Sequence, residues 1–96
     1  MAPVRRLVLD VLKPHDPPLP EFAERVSETE AVDGVSVSLV ELDREVQNVA
    51  LTAVGESLDA DAVESTVEEL GGTVHSVDLV ACGDRVDPIR PTPRDS

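Results

Sequence analysis

Val35-Ser36-Val37-Ser38-Leu39 alternates apolar and hydroxyl side chains with period two, and Asn48-Val49-Ala50-Leu51-Thr52-Ala53-Val54 comes after the polar stretch Leu42-Asp43-Arg44-Glu45. Strict alternation puts Val35, Val37 and Leu39 on the buried face of a strand. A second apolar run so close behind makes the two a hairpin. Asp33-Gly34 opens the first arm and Gly55 closes the second.

Upstream, Val4 to Leu12 is short and rich in branched residues, so it reads as a strand. Leu7, Leu9 and Val11 share one face; Arg6, Val8, Asp10 and Leu12 share the other. Pro14, Pro17, Pro18 and Pro20 stiffen the next segment and forbid further sheet pairing. From about Leu19 to Ser27 the period becomes helical, with Leu19, Phe22, Ala23 and Val26 inward and Glu21–Arg25 as an outer i,i+4 pair. Downstream, Asp59 is a helix N-cap, and Leu58 and Val63 form a hydrophobic staple across it. Val63, Val67 and Leu70 make the buried stripe, Gly71-Gly72 stops the helix, and Thr73 to about Cys82 is a last strand.

Strand, helix, strand, strand, helix, strand is the α+β ferredoxin-like βαββαβ order. The expected sheet is four-stranded and antiparallel in the order 4-1-3-2, with both helices on one face. Residues 1–82 form this single domain, and residues 83–96 read as a disordered, Pro-rich acidic tail.

Composition narrows the function. Eight Lys and Arg stand against twenty Asp and Glu, a formal charge of −12. Phe22 is the one aromatic residue, so the core is built from Val, Leu and Ala. The charge repels phosphate backbones and the lone ring offers bases nothing to stack on, so no nucleic-acid partner is expected. No apolar run reaches the ~18 residues of a membrane span. A secretory signal is not evident at Met1-Ala2-Pro3-Val4-Arg5-Arg6, which points to the cytoplasm. One cysteine, Cys82, excludes a disulfide frame and Cys-cluster metal sites. Only Lys13 of the cations is a lysine, and the carboxylates are spread along the chain, as expected for a halophile's solubilised surface. An acidic face meant for a basic partner is the rival reading.

The uncovered face of the sheet is too apolar for water and too polar for a core. It is expected to be a homo-oligomer contact, with Arg6, Val8 and Leu12 in the interface. The topology sends three connections to one end of the sheet: Lys13-Pro14-His15-Asp16, the hairpin turn, and Gly71-Gly72-Thr73-Val74-His75. Asp10, His15, His75 and Asp78 are therefore candidate ligands for a divalent metal ion. Carboxylates within apolar strands are costly unless paired or metal-bound. The bland reading has His15 in a loop, His75 bonded to a neighbour, and Asp10 paired with Arg6. There is no Gly-rich phosphate loop, no histidine placed to activate Ser36 or Ser38, and no helix N-terminus or basic residue nearer than Arg85 to activate Cys82, so no catalytic constellation emerges.

Arg5-Arg6-Leu-Val-Leu-Asp-Val-Leu-Lys-Pro-His15, Val35-Ser-Val-Ser-Leu-Val-Glu-Leu-Asp-Arg-Glu45 and Glu69-Leu-Gly-Gly-Thr-Val-His-Ser-Val-Asp78 together resemble archaeal domain-of-unknown-function family 211. The likeness covers about residues 3–82. It implies a ferredoxin-like fold, an archaeal cytoplasmic origin and homo-oligomeric assembly, and brings no activity with it. The acid-rich, lysine-poor composition marks a haloarchaeal member, and the tail reads as an addition to the family's domain. The leading expectation is a homo-oligomer that binds a divalent metal or small ligand near subunit interfaces. The alternative is an ACT-like amino-acid-sensing regulatory module, although the loop after the first strand lacks the glycine such modules carry.

Overall fold

The computed structural model describes residues 2–83. Of the expected tail, all but Gly83 lies outside the described residues. Six elements keep the expected order: β1 (Val4–Pro14), α1 (Leu19–Ser27), β2 (Gly34–Leu42), β3 (Val46–Val54), α2 (Ala60–Glu69) and β4 (Thr73–Cys82). The strands form one antiparallel sheet in the order β2-β3-β1-β4, the ferredoxin-like arrangement.

Alternation along β1 sends Leu7, Leu9 and Val11 into the core, where they meet Val49, Leu51 and Ala53 of β3. Phe22 and Val26 of α1, with Val63 and Val67 of α2, close that core from one side. Leu58 is also buried, as the staple across the Asp59 cap requires. Asp59 accepts hydrogen bonds from the Asp61 and Ala62 amides at 3.1 and 3.3 Å. At the other end Gly71 has φ of 90°, a left-handed turn in which a Cβ would crowd Pro14.

The hairpin is longer than the alternation alone suggests. Asp43 donates its amide to the Val46 carbonyl at 2.9 Å, and its carboxylate accepts from the Arg44 amide at 2.7 Å. The turn is so tight that pairing reaches Leu42 and Gln47. β1 likewise extends to Pro14, beside Val46.

β4 departs from simple alternation. Its register against β1 shifts between Val8 and Leu9 and again between Asp10 and Val11, which leaves Asp78 and His75 as extra residues. Val74, Val77 and Val80 consequently lie opposite Val11, Leu9 and Leu7 on the helix face. Ser76, Leu79 and Ala81 lie opposite Asp10, Val8 and Arg6 on the open face. A strand without bulges would have put Val77 and Leu79 on the same side.

Candidate functional site

Asp10 stands on the open face of a central strand, and the bulge in β4 brings His75 against it. His75 Nδ1 lies 3.3 Å from Asp10 Oδ2. Asp10 is one-quarter exposed and His75 about two-thirds exposed, so the pair sits at the surface with the imidazole outermost. A proton on Nδ1, facing the carboxylate, would leave Nε2 as the free ring nitrogen. A carboxylate behind a histidine is the usual way of fixing the tautomer of a metal-binding imidazole.

The other two candidate ligands lie elsewhere. Asp78 accepts a 2.8 Å hydrogen bond from Ser76 Oγ, one position along β4 from His75. His15 Nε2 is 3.1 Å from the Asp43 carbonyl, and latches the β1–α1 connection onto the hairpin tip. This contact, with Gly71 against Pro14, does bring the three connections to one end of the molecule. Of the four candidates only Asp10 and His75 pair directly. Among the described residues no group of three or more His, Cys, Asp or Glu comes together within one chain.

The Arg6–Asp10 pairing is replaced by His75–Asp10, and strand geometry explains why. Four residues along a strand span about 13 Å, beyond the reach of an ion pair. Arg6 keeps a buried Nε that has no hydrogen-bond partner among the described residues. Val8 and Leu12, which share the open face of β1 with it, are half-buried.

One group escaped the sequence reading. Lys13 continues the inward alternation of Leu7, Leu9 and Val11 and is fully buried. Its Nζ donates to the Pro14 carbonyl at 2.7 Å and to Gln47 Oε1 at 3.0 Å, and stands 5.7 Å from the centre of the Phe22 ring. Burial pushes its pKa below the usual 10.5, and the nearby Asp16 charge opposes that shift. The signal was available: position 13 is the next odd residue in the strand.

Away from this pair, a hollow of about 220 Å³ opens between α2 and β4. Leu7 and Leu9 line it together with Val77, Val80 and Glu64. No helix in the described residues is long and apolar enough to cross a membrane.

A family match spans residues 5–96, and so takes in the ferredoxin-like sheet from Arg5 onward and both bulges of β4. The chain belongs to the DUF211 family. That family is described as an uncharacterized ArCR. The uncharacterized protein MJ0319 of Methanocaldococcus jannaschii is 40% identical over 64 residues, 67% of this chain and 66% of that protein. The chain thus aligns with about two thirds of that relative's length. The DUF211 match runs to residue 96, which corrects the reading of the tail as an addition to the domain. The tail is not acidic either. Arg85, Arg90 and Arg94 balance Asp84, Asp87 and Asp95, so residues 1–83 carry the whole charge of −12.

Proposed function

We propose that this DUF211 protein is a cytoplasmic homo-oligomer that holds a divalent metal ion or small ligand at His75 and Asp10, close to a subunit boundary. The observation that carries this reading is the 3.3 Å Asp10–His75 contact on an uncovered sheet face, one strand from the sheet's edge. Asp10 orients the ring and His75 Nε2 is the ligand atom. One imidazole does not make a metal site, so further donors come from a neighbouring subunit or from Asp78. The Arg6 Nε, without a partner among the described residues, and the half-buried Val8 and Leu12 further along the same strand support the open face as a contact surface. The acidic body fits a haloarchaeal cytosol, where molar salt screens like charges to about 3 Å. The ACT-like alternative gains nothing from the loop after β1, whose His15 is tied to the hairpin tip.

Calorimetric titration of the full chain with zinc, calcium, magnesium and manganese tests the ligand. At least one ion should bind, and Asp10→Asn should weaken it about 10–100-fold. Silence from all four ions retires the metal site.

A further inference from the structure

Leu39, Val40, Leu42, Val77, Leu79 and Val80 are the large apolar side chains left exposed among the described residues, each by 41% or more. All six lie on β2 or β4, three on each, and these are the two edge strands. Scattered exposed apolar residues need no account, but their segregation onto both edges does. Neither strand contains Lys, Arg or Pro, residues that natural edges use to turn a partner away. Each presents an outer row of backbone N–H and C=O groups that no other strand pairs among the described residues.

Strand direction permits one simple union. Neighbours are antiparallel throughout, so β2 and β4 run in opposite directions. A second copy in the same orientation can lay its β2 against β4, continuing the antiparallel sheet with all helices on one side. The faces then fix the register. Leu39 pairs with Val49 and Val77 with Leu9, so both look toward the helix layer. Setting Leu39 opposite the partner subunit's Val77 joins the two apolar edges. The same register puts Ser38 opposite the partner subunit's Asp78, a hydroxyl donor facing a carboxylate. β2 is bulged at Val40 as β4 is at His75, so counting across both bulges the register also brings Glu41 to the partner subunit's His75, an acid beside an imidazole. Glu41 pairs with Asn48, which in turn lies across β3 and β1 from Leu12, so Glu41 shares the open face with Asp10.

We propose that β2 of one subunit pairs antiparallel with β4 of the next, Leu39 opposite Val77, delivering Glu41 to the outer side of the Asp10–His75 pair. This deepens the homo-oligomeric reading above and rests on it. His75 then stands between Asp10 of its own chain, at Nδ1, and a carboxylate from the neighbour, on the Nε2 side. The candidate metal site is incomplete without that neighbour. Two different edges meeting is a heterologous contact, so assembly passes beyond a dimer and the twist of the sheet decides whether it closes into a ring. A two-fold contact of β2 with β2, or of β4 with β4, would leave the other apolar edge in water.

Engineered thiols in the full chain, with Cys82→Ala as background, test the register. Paired strand residues lie within disulfide reach. Oxidised Leu39→Cys/Val77→Cys should run as a ladder of dimers, trimers and higher species on a denaturing gel, while each single thiol variant stays monomeric there. Dimers from either single variant, or no ladder from a double variant that elutes at the wild-type position, overturn the proposal. Leu39→Lys reads the contact without thiols: it should elute as smaller species, and wild-type elution overturns the edge contact. Glu41→Gln should weaken zinc binding by the wild-type oligomer at least tenfold with elution unchanged; unchanged affinity removes Glu41 from the site. A wild-type monomer ends this proposal and the homo-oligomeric reading together, whereas an oligomer that cross-links through single thiols ends this one alone.

Discussion

Lys13 is the chain's one lysine and is held where water cannot reach it, at the end of the inward row on β1. An ammonium in that position is tolerated because two carbonyl oxygens and the Phe22 ring surround it. Its lowered pKa fixes the sign of a pH effect. The unfolded chain binds the Lys13 proton more readily than the folded one, so stability rises as pH climbs from the lowered folded value toward 10.5. Lys13→Met keeps most of the stem and removes the amine. Urea unfolding at stepped pH should show the wild type gaining on the variant as pH rises through that window; a constant difference contradicts the buried amine. Lys13 was legible in principle, since the alternation runs straight into it, but the prolines just beyond disguised it as loop. His75 was legible only as a residue type. Its meeting with Asp10 depends on a bulge that exists in the pairing of two strands some sixty residues apart, and no local pattern encodes that.

Caps and stops made the elements readable. Asp59 before the α2 stripe and Gly71-Gly72 after it bound that helix by side-chain and backbone chemistry that is local in sequence. Asp59→Ala should cost about 1 kcal/mol, through the loss of two amide partners. Gly71→Ala should cost about 1–2 kcal/mol, through the left-handed backbone it must keep. Denaturant midpoints at constant slope measure both, and a shift below a few tenths of a kcal/mol in either would show that the cap contributes nothing. Layer coverage was less legible than element type. Leu39 faces the helix layer as the alternation requires, yet is 48% exposed. The nine residues of α1 span about 14 Å, whereas the nine of β2 run about 30 Å. The helix ends before the strand does, and the far half of the hairpin keeps its apolar face bare. A length comparison between neighbouring elements would have exposed this; composition and periodicity do not.

At the scale of the whole molecule the charge and the bare edges pull against each other. A body carrying −12 repels its own copies, while six exposed apolar side chains on the two edge strands favour association. Salt decides the balance, because the Debye length is about 10 Å at 0.1 M and about 3 Å at 1 M. Assembly should therefore hold in molar KCl and weaken as the salt is dialysed down; an oligomer whose mass and melting temperature are the same at both limits would contradict the role given to the carboxylates. The fold itself was within reach of the sequence, since six elements in this order with alternating strands admit few sheets. The expected order 4-1-3-2 already made the second and fourth strands the edges, but which apolar residues lie bare on them depends on the bulges of β4 and on how far the helices reach, and neither is written locally. The most direct measurement is the mass of the full chain by multi-angle light scattering in molar KCl. Edge-to-edge pairing predicts a single species at three or more times the 10.3 kDa chain mass. A 10.3 kDa monomer at micromolar concentration would contradict it.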